Sequence, residues 1–88
     1  MKFKAIVFVR LRSSVSDSAG NAVRDCCNRM TDIISVNNLR LGKVLDIEFE
    51  APDEQKAIEE LEKLSDGFLA NTVIEDWSYE LKNEEHHP

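Results

Sequence analysis

Apolar and polar residues alternate along residues 2–12. Phe3, Ala5, Val7, Val9 and Leu11 fall on one side, which is the pattern of a half-buried β-strand. The opposite side is charged at its ends (Lys2, Lys4, Arg10, Arg12) but apolar at its centre, where Ile6 and Phe8 stand. A strand that is apolar on both sides at its middle calls for cover on both sides, either a second subunit or a loop of the same chain. After a polar connection, Asp17 is placed to accept the free amides of a first helical turn. Ala19, Ala22, Val23, Cys26, Cys27, Met30, Ile33 and Ile34 then recur at helical spacing. They predict an amphipathic helix of about four turns with the two cysteines on or beside its buried stripe. Gly20 in the first turn costs about 1 kcal/mol against alanine and suggests close approach of another backbone.

Asn37-Asn38 reads as a turn. Leu39, Leu41, Leu45, Ile47 and Phe49 follow in one odd-numbered phase that only Lys43 interrupts. This is one long strand bent near Gly42, or two strands broken there; the unbroken phase favours the first. Pro52 near a first helical position opens a second helix. Its buried stripe would be Ala57, Ile58, Leu61, Leu64, Phe68 and Leu69, with Glu59 and Lys63 paired one turn apart. Asn71 suits a left-handed cap. Val73, Trp77, Tyr79 and Leu81 then alternate with Ile74, Asp76, Ser78 and Glu80 as a last strand, which pairs with the first or the second. Glu75 breaks the apolar phase, so it lies at an edge or meets a cation, with Arg10 and Arg40 as candidates. The expected fold is a two-layer α+β domain over residues 1–82. A mainly antiparallel sheet of three to four strands carries two helices on one face, related to the ferredoxin-like β-α-β-β-α-β plan. Residues 83–88 form a polar tail.

Composition narrows the chemistry more than the fold. The chain has 88 residues, 42% hydrophobic and 32% charged, within the range of an ordinary globular domain. Its net charge of −6 speaks against a nucleic-acid partner, and no apolar run approaches the ~20 residues of a membrane span. With no signal peptide in view, a cytoplasmic location is the expectation. Both histidines, His86 and His87, lie in the last three positions, so histidine-based catalysis has no candidate in the body. Two adjacent cysteines and three scattered glycines supply no zinc set, no disulfide framework and no phosphate loop. Catalytic, cofactor and metal residues are therefore all expected to be absent. Charge is uneven: residues 1–45 carry +5 and residues 46–88 carry −11. Opposite halves suggest subunits meeting head to tail, unless folding interleaves them.

Three segments together resemble one family. Phe68-Leu69-Ala70-Asn71-Thr72-Val73-Ile74-Glu75-Asp76-Trp77 is similar to the C-terminal signature of PurS, the small subunit of phosphoribosylformylglycinamidine (FGAM) synthase. Asp17-Ser18-Ala19-Gly20-Asn21-Ala22-Val23 and Leu39-Arg40-Leu41-Gly42-Lys43 resemble two further stretches in the same order. Ser18 and Ala19 depart from the usual proline and glutamine, and Phe68 from a leucine, without loss of a charged motif residue. The resemblance implies a subunit of a ligase complex, with no catalytic site of its own, in purine biosynthesis. Its synthetase partner would use ATP and magnesium, and its glutaminase partner would release ammonia. The small subunit would form a homodimer, with a tetramer left open, bridge the two and help ammonia pass. Ile6, Phe8, Arg40, Gly42, Lys43, Asn71 and Glu75 are the candidate interface residues. Arg40 and Lys43 are expected to pair across a subunit boundary or to contact the synthetase, and Asn71 to cap first and contact second. Two other classes compete: a small-molecule-binding regulatory domain of ferredoxin-like type, and a dimeric isomerase or oxygenase on the same fold.

Overall fold

The computed structural model describes residues 1–84, and His86 and His87 lie outside them. The chain runs β1 (Lys2–Leu11), α1 (Ser18–Met30), β2 (Gly42–Glu50), α2 (Glu54–Leu64), a π-helical turn (Ser65–Leu69) and β3 (Glu75–Asn83). The three strands form one antiparallel sheet in the order β2-β1-β3. Strand two is therefore a single strand that starts at Gly42, and 39–41 are irregular. The last strand starts two residues later than its alternation suggests and runs through Asn83. Beyond it the Glu84 amide donates to the Lys2 carbonyl, so order reaches past the expected tail boundary.

Topology decides which helix covers the sheet. β2 and β3 are both antiparallel to β1, so they are parallel to each other. Chain leaving β2 must cross back over the sheet to begin β3, and α2 makes that crossing. The odd-numbered face of β1 lies beneath it: Phe3, Ala5, Val7 and Val9 are buried, and Val7 and Val9 meet Leu61 and Ala70 in one cluster. Leu45, Ile47 and Phe49 from β2 and Trp77, Tyr79 and Leu81 from β3 flank it. β1 and β2, by contrast, are antiparallel neighbours. Their connection leaves and returns at the same end of the sheet, so α1 has no crossing to make.

The consequence is visible in the shape. Ten residues of β1 span about 33 Å, and thirteen residues of α1 about 20 Å. Placed end to end, they account for the 52 Å long axis of a body only 14 Å thick. The radius of gyration is 17.2 Å, where a compact chain of this length has about 12 Å. The helical stripe expected to be buried in α1 is not: Gly20 is its one buried residue, Met30 is 86% exposed, and Ile33 and Ile34 lie exposed beyond its end. Cys26 is exposed and Cys27 half-buried, so neither is a core residue. Of the residues at helical spacing, Ala19 to Met30 lie on the helix while Ile33 and Ile34 fall outside it, and the fold gives the stripe nothing of its own to pack on.

The second helix departs from expectation in smaller ways. Asp53 is its N-cap, accepting from the Lys56 amide at 2.8 Å, and Pro52 stands just outside. Glu59 pairs with Lys56 instead of Lys63. At its end the chain widens by one residue per turn, with the Ala70 amide donating to the Ser65 carbonyl five residues back. That wider turn rotates the register, so Phe68 points outward at 80% exposure while Ala70 is buried. Ser65 is fully buried there and its hydroxyl has no hydrogen-bond partner.

Candidate subunit interface

The even-numbered face of the sheet carries Ile6 and Phe8 at its centre, as the alternation of β1 requires. Both are half-buried, and β2 adds Val44, opposite Phe8 and 61% exposed. Among the described residues no helix lies on this side. Ile6 stands directly between Asp46 and Glu80 in the sheet register, and neither carboxylate is in an ion pair among the described residues. Toward one end, Lys4 lies 3.5 Å from both Glu48 and Glu84. The Glu84 charge, then a hydrogen bond to Glu48, raise the Lys4 pKa above the ordinary lysine value.

The other candidates gather where α1 leaves the sheet. Arg40 does not reach a carboxylate: its guanidinium donates to the carbonyls of Arg12 (2.9 Å) and Val15 (2.7 Å), closing the loop after β1. Lys43 lies 3.8 Å from Glu75, so the cation that Glu75 meets is neither Arg10 nor Arg40. The pair spans the core-side face from β2 to β3, over β1. Glu75 is mostly shielded and also accepts from the Asn71 amide at 2.7 Å. Asn71 returns the bond, its carbonyl accepting from the amides of Ile74 and Glu75. Its backbone is not left-handed: among the described residues none has a positive φ. Asn71 therefore caps through this reciprocal turn. Gly42 is explained within the chain, because a Cβ there would come to 2.8 Å from the Val9 carbonyl oxygen.

Asp17 has a larger role than its capping position implied. One carboxylate oxygen accepts from Gly20 and the other from the Leu41 amide, both at 2.8 Å. The bond to Leu41, then that to Gly20, hold its pKa below the usual aspartate value, aided by Arg40 and opposed by burial. It thus ties the base of α1 to the returning chain. Further out, a Cβ on Gly20 would meet the Leu39 carbonyl oxygen at 2.6 Å, and Asn28 makes two hydrogen bonds to the backbone of Val36. Residues 18–41 are therefore an arm: a helix with its return segment laid against one side. The other side presents Val23, Cys26, Met30 and Ile33, all exposed. Helical spacing pointed to these residues as apolar, and nothing in the spacing told which chain would cover them. Phe68 and Val73, on either side of Asn71 in sequence, are also exposed, Val73 at 82%.

The arrangement is one of surfaces. Among the described residues no group of histidine, cysteine and carboxylate side chains could hold a metal ion, and no helix is long and apolar enough to cross a membrane. Comparison with known proteins is consistent across the chain. The family model described as "PurS: Phosphoribosylformylglycinamidine (FGAM) synthase" matches residues 4–83. The PurS subunit of phosphoribosylformylglycinamidine synthase from Synechocystis is 40% identical over 75 residues, covering 85% of this chain and 74% of that protein. The structure of PurS from Bacillus subtilis superposes with a TM-score of 0.80 at 33% identity, covering 92% of this chain and 99% of that one. A chain in the structure of PurLQS from Thermotoga maritima matches equally well, with a TM-score of 0.80, 32% identity, and 93% and 99% coverage.

Proposed function

The chain belongs to the PurS family of FGAM synthase subunits, and from that premise we propose that it acts as a non-catalytic adaptor. It forms a homodimer, bridges the glutaminase and synthetase subunits, and supports passage of ammonia from one to the other in purine biosynthesis, in the cytoplasm. The observation that carries this reading is the amount of surface the chain leaves uncovered. A compact monomer of this mass exposes about 5,200 Å², whereas this chain exposes 6611 Å². The surplus is larger than the ~800 Å² that each partner buries in a standard interface. Exposed apolar side chains stand on the arm (Val23, Met30, Ile33, Ile34), on the even-numbered face at Val44, and at Phe68 and Val73, which is what an adaptor with several neighbours requires. Arg40, Gly42, Lys43, Asn71 and Glu75 then serve this role indirectly, by holding the end of the sheet from which the arm springs.

Reconstitution tests the reading. Synthetase and glutaminase subunits from the same source are assayed with glutamine and, separately, with ammonium, with and without this chain. The adaptor reading expects only the glutamine-driven reaction to need it. If neither reaction responds to the chain, the reading fails, and a small-molecule ligand should be sought by thermal shift.

A further inference from the structure

We propose that the end of α2 is a docking point for one of the other two subunits of the synthase, with Phe68 as an aromatic anchor that enters an apolar pocket ringed by lysine or arginine. The inference rests on the adaptor reading and names a surface through which the chain meets a subunit other than its own copy.

The end of α2 is built against the interest of the isolated chain. In an unbroken α-helix the stripe through Ala57 and Leu61 would continue to Leu64 and Phe68. The π-helical turn instead places Ser65 and Ala70 inward and leaves Leu64 and Phe68 exposed, one helical turn apart. Both results are unfavourable in water. A buried hydroxyl is left without a partner, and a phenyl ring stands in solvent. Single wide turns of this kind occur often at functional sites. A pocket that took up Phe68 would recover the burial that the turn gives up.

The anchor stands on a fixed backbone. Glu62 accepts from the Tyr79 hydroxyl at 3.0 Å and Asp66 from the Trp77 indole at 3.1 Å, so the last turns are tied to β3 on both sides of Leu64. Trp77 and Tyr79 are themselves stacked. A ring presented this way loses little freedom on binding, which is how a few aromatic residues come to carry an interface. Charge specifies the rest of the partner's chemistry. Residues 53–69 hold six carboxylates and two lysines, a balance of −4. Two copies meeting through this surface would set like charges against each other. The complementary pocket therefore belongs to a different chain and carries cations at its rim.

Photo-crosslinking gives the test. The chain is made with p-benzoylphenylalanine in place of Phe68, which keeps an aromatic ring there, then mixed with the synthetase and glutaminase subunits from the same source and irradiated. The expected product is a covalent adduct with one of those two subunits, identified by mass. An adduct only with a second copy of this chain, or no adduct, would overturn the proposal. Affinity for the captured subunit is the second measurement. Phe68→Ala should weaken binding at least tenfold and Phe68→Leu should restore most of it, while neither changes self-association in sedimentation. Equal affinities for the parent and Phe68→Ala would overturn the anchor and leave the adaptor reading standing. Binding that did not weaken as salt is raised would overturn the basic rim. A parent chain that binds neither subunit would overturn both the anchor and the adaptor reading.

Discussion

The sheet with α2 and the arm built on α1 are made from the same kind of sequence and behave differently. Both helices show an apolar stripe at 3.6-residue spacing and both are capped by aspartate. α2 buries Ala57 and Leu61, the latter in one cluster with Ala5, Val7 and Val9 of β1, whereas α1 buries one glycine. The difference lies in the strands that each helix joins. A helix joining parallel strands must cross the sheet and is pressed onto it; one joining antiparallel neighbours can leave freely. An amphipathic pattern therefore shows that a helix will be covered, and connectivity decides whether its own chain does the covering.

The contrast can be broken from the body outward. Leu61→Ala should have the largest effect, about 2–4 kcal/mol of lost stability in urea unfolding, because it opens a cavity beneath the most buried strand. A loss under 1 kcal/mol would mean that α2 is no better seated than α1. Gly20→Ala comes next. Helix propensity alone would gain about 1 kcal/mol, but the new methyl would come within 2.6 Å of the Leu39 carbonyl oxygen. The net result should be a loosened arm base and lower helicity; a gain in stability would show that the arm is not held there.

Acid should release the same joint. The folded pKa of Asp17 lies below its ordinary value of 3.8. Its contribution is therefore complete above that value and is lost as pH falls through the lower, folded one. Helical signal should decline in that window in the parent chain and already be reduced at neutral pH in Asp17→Ala. Identical acid profiles for the two would remove the tie to Leu41. Ser65→Ala should move the other way, stabilising by roughly 0.5–1 kcal/mol, since it removes a buried hydroxyl without a partner. A loss on thermal denaturation would reveal a bond to that hydroxyl. The smallest effect belongs to the arm tip: Met30→Ala should change the stability of dilute monomer by less than about 0.5 kcal/mol. A cost near that of Leu61→Ala would place Met30 in the core.

Much of this molecule was determined by local pattern. The period of two in β1 identified Phe3, Ala5, Val7 and Val9 as core and left Ile6 and Phe8 on the second face, because side chains on a strand alternate without exception. Asp17 was legible as a cap, and Gly20 as a place of close approach. Three short segments were enough to suggest the family whose model then matched residues 4–83. Tertiary structure alone decided the rest. Glu75 met Lys43 because strand order set β2 and β3 on either side of β1, a fact that no spacing along the chain encodes. Phe68 turned outward because one π-helical turn shifted the phase of the stripe. The arm stood free because β1 and β2 pair as neighbours. Sequence periodicity records which side of an element is apolar; the order and direction of strands determine what that side meets.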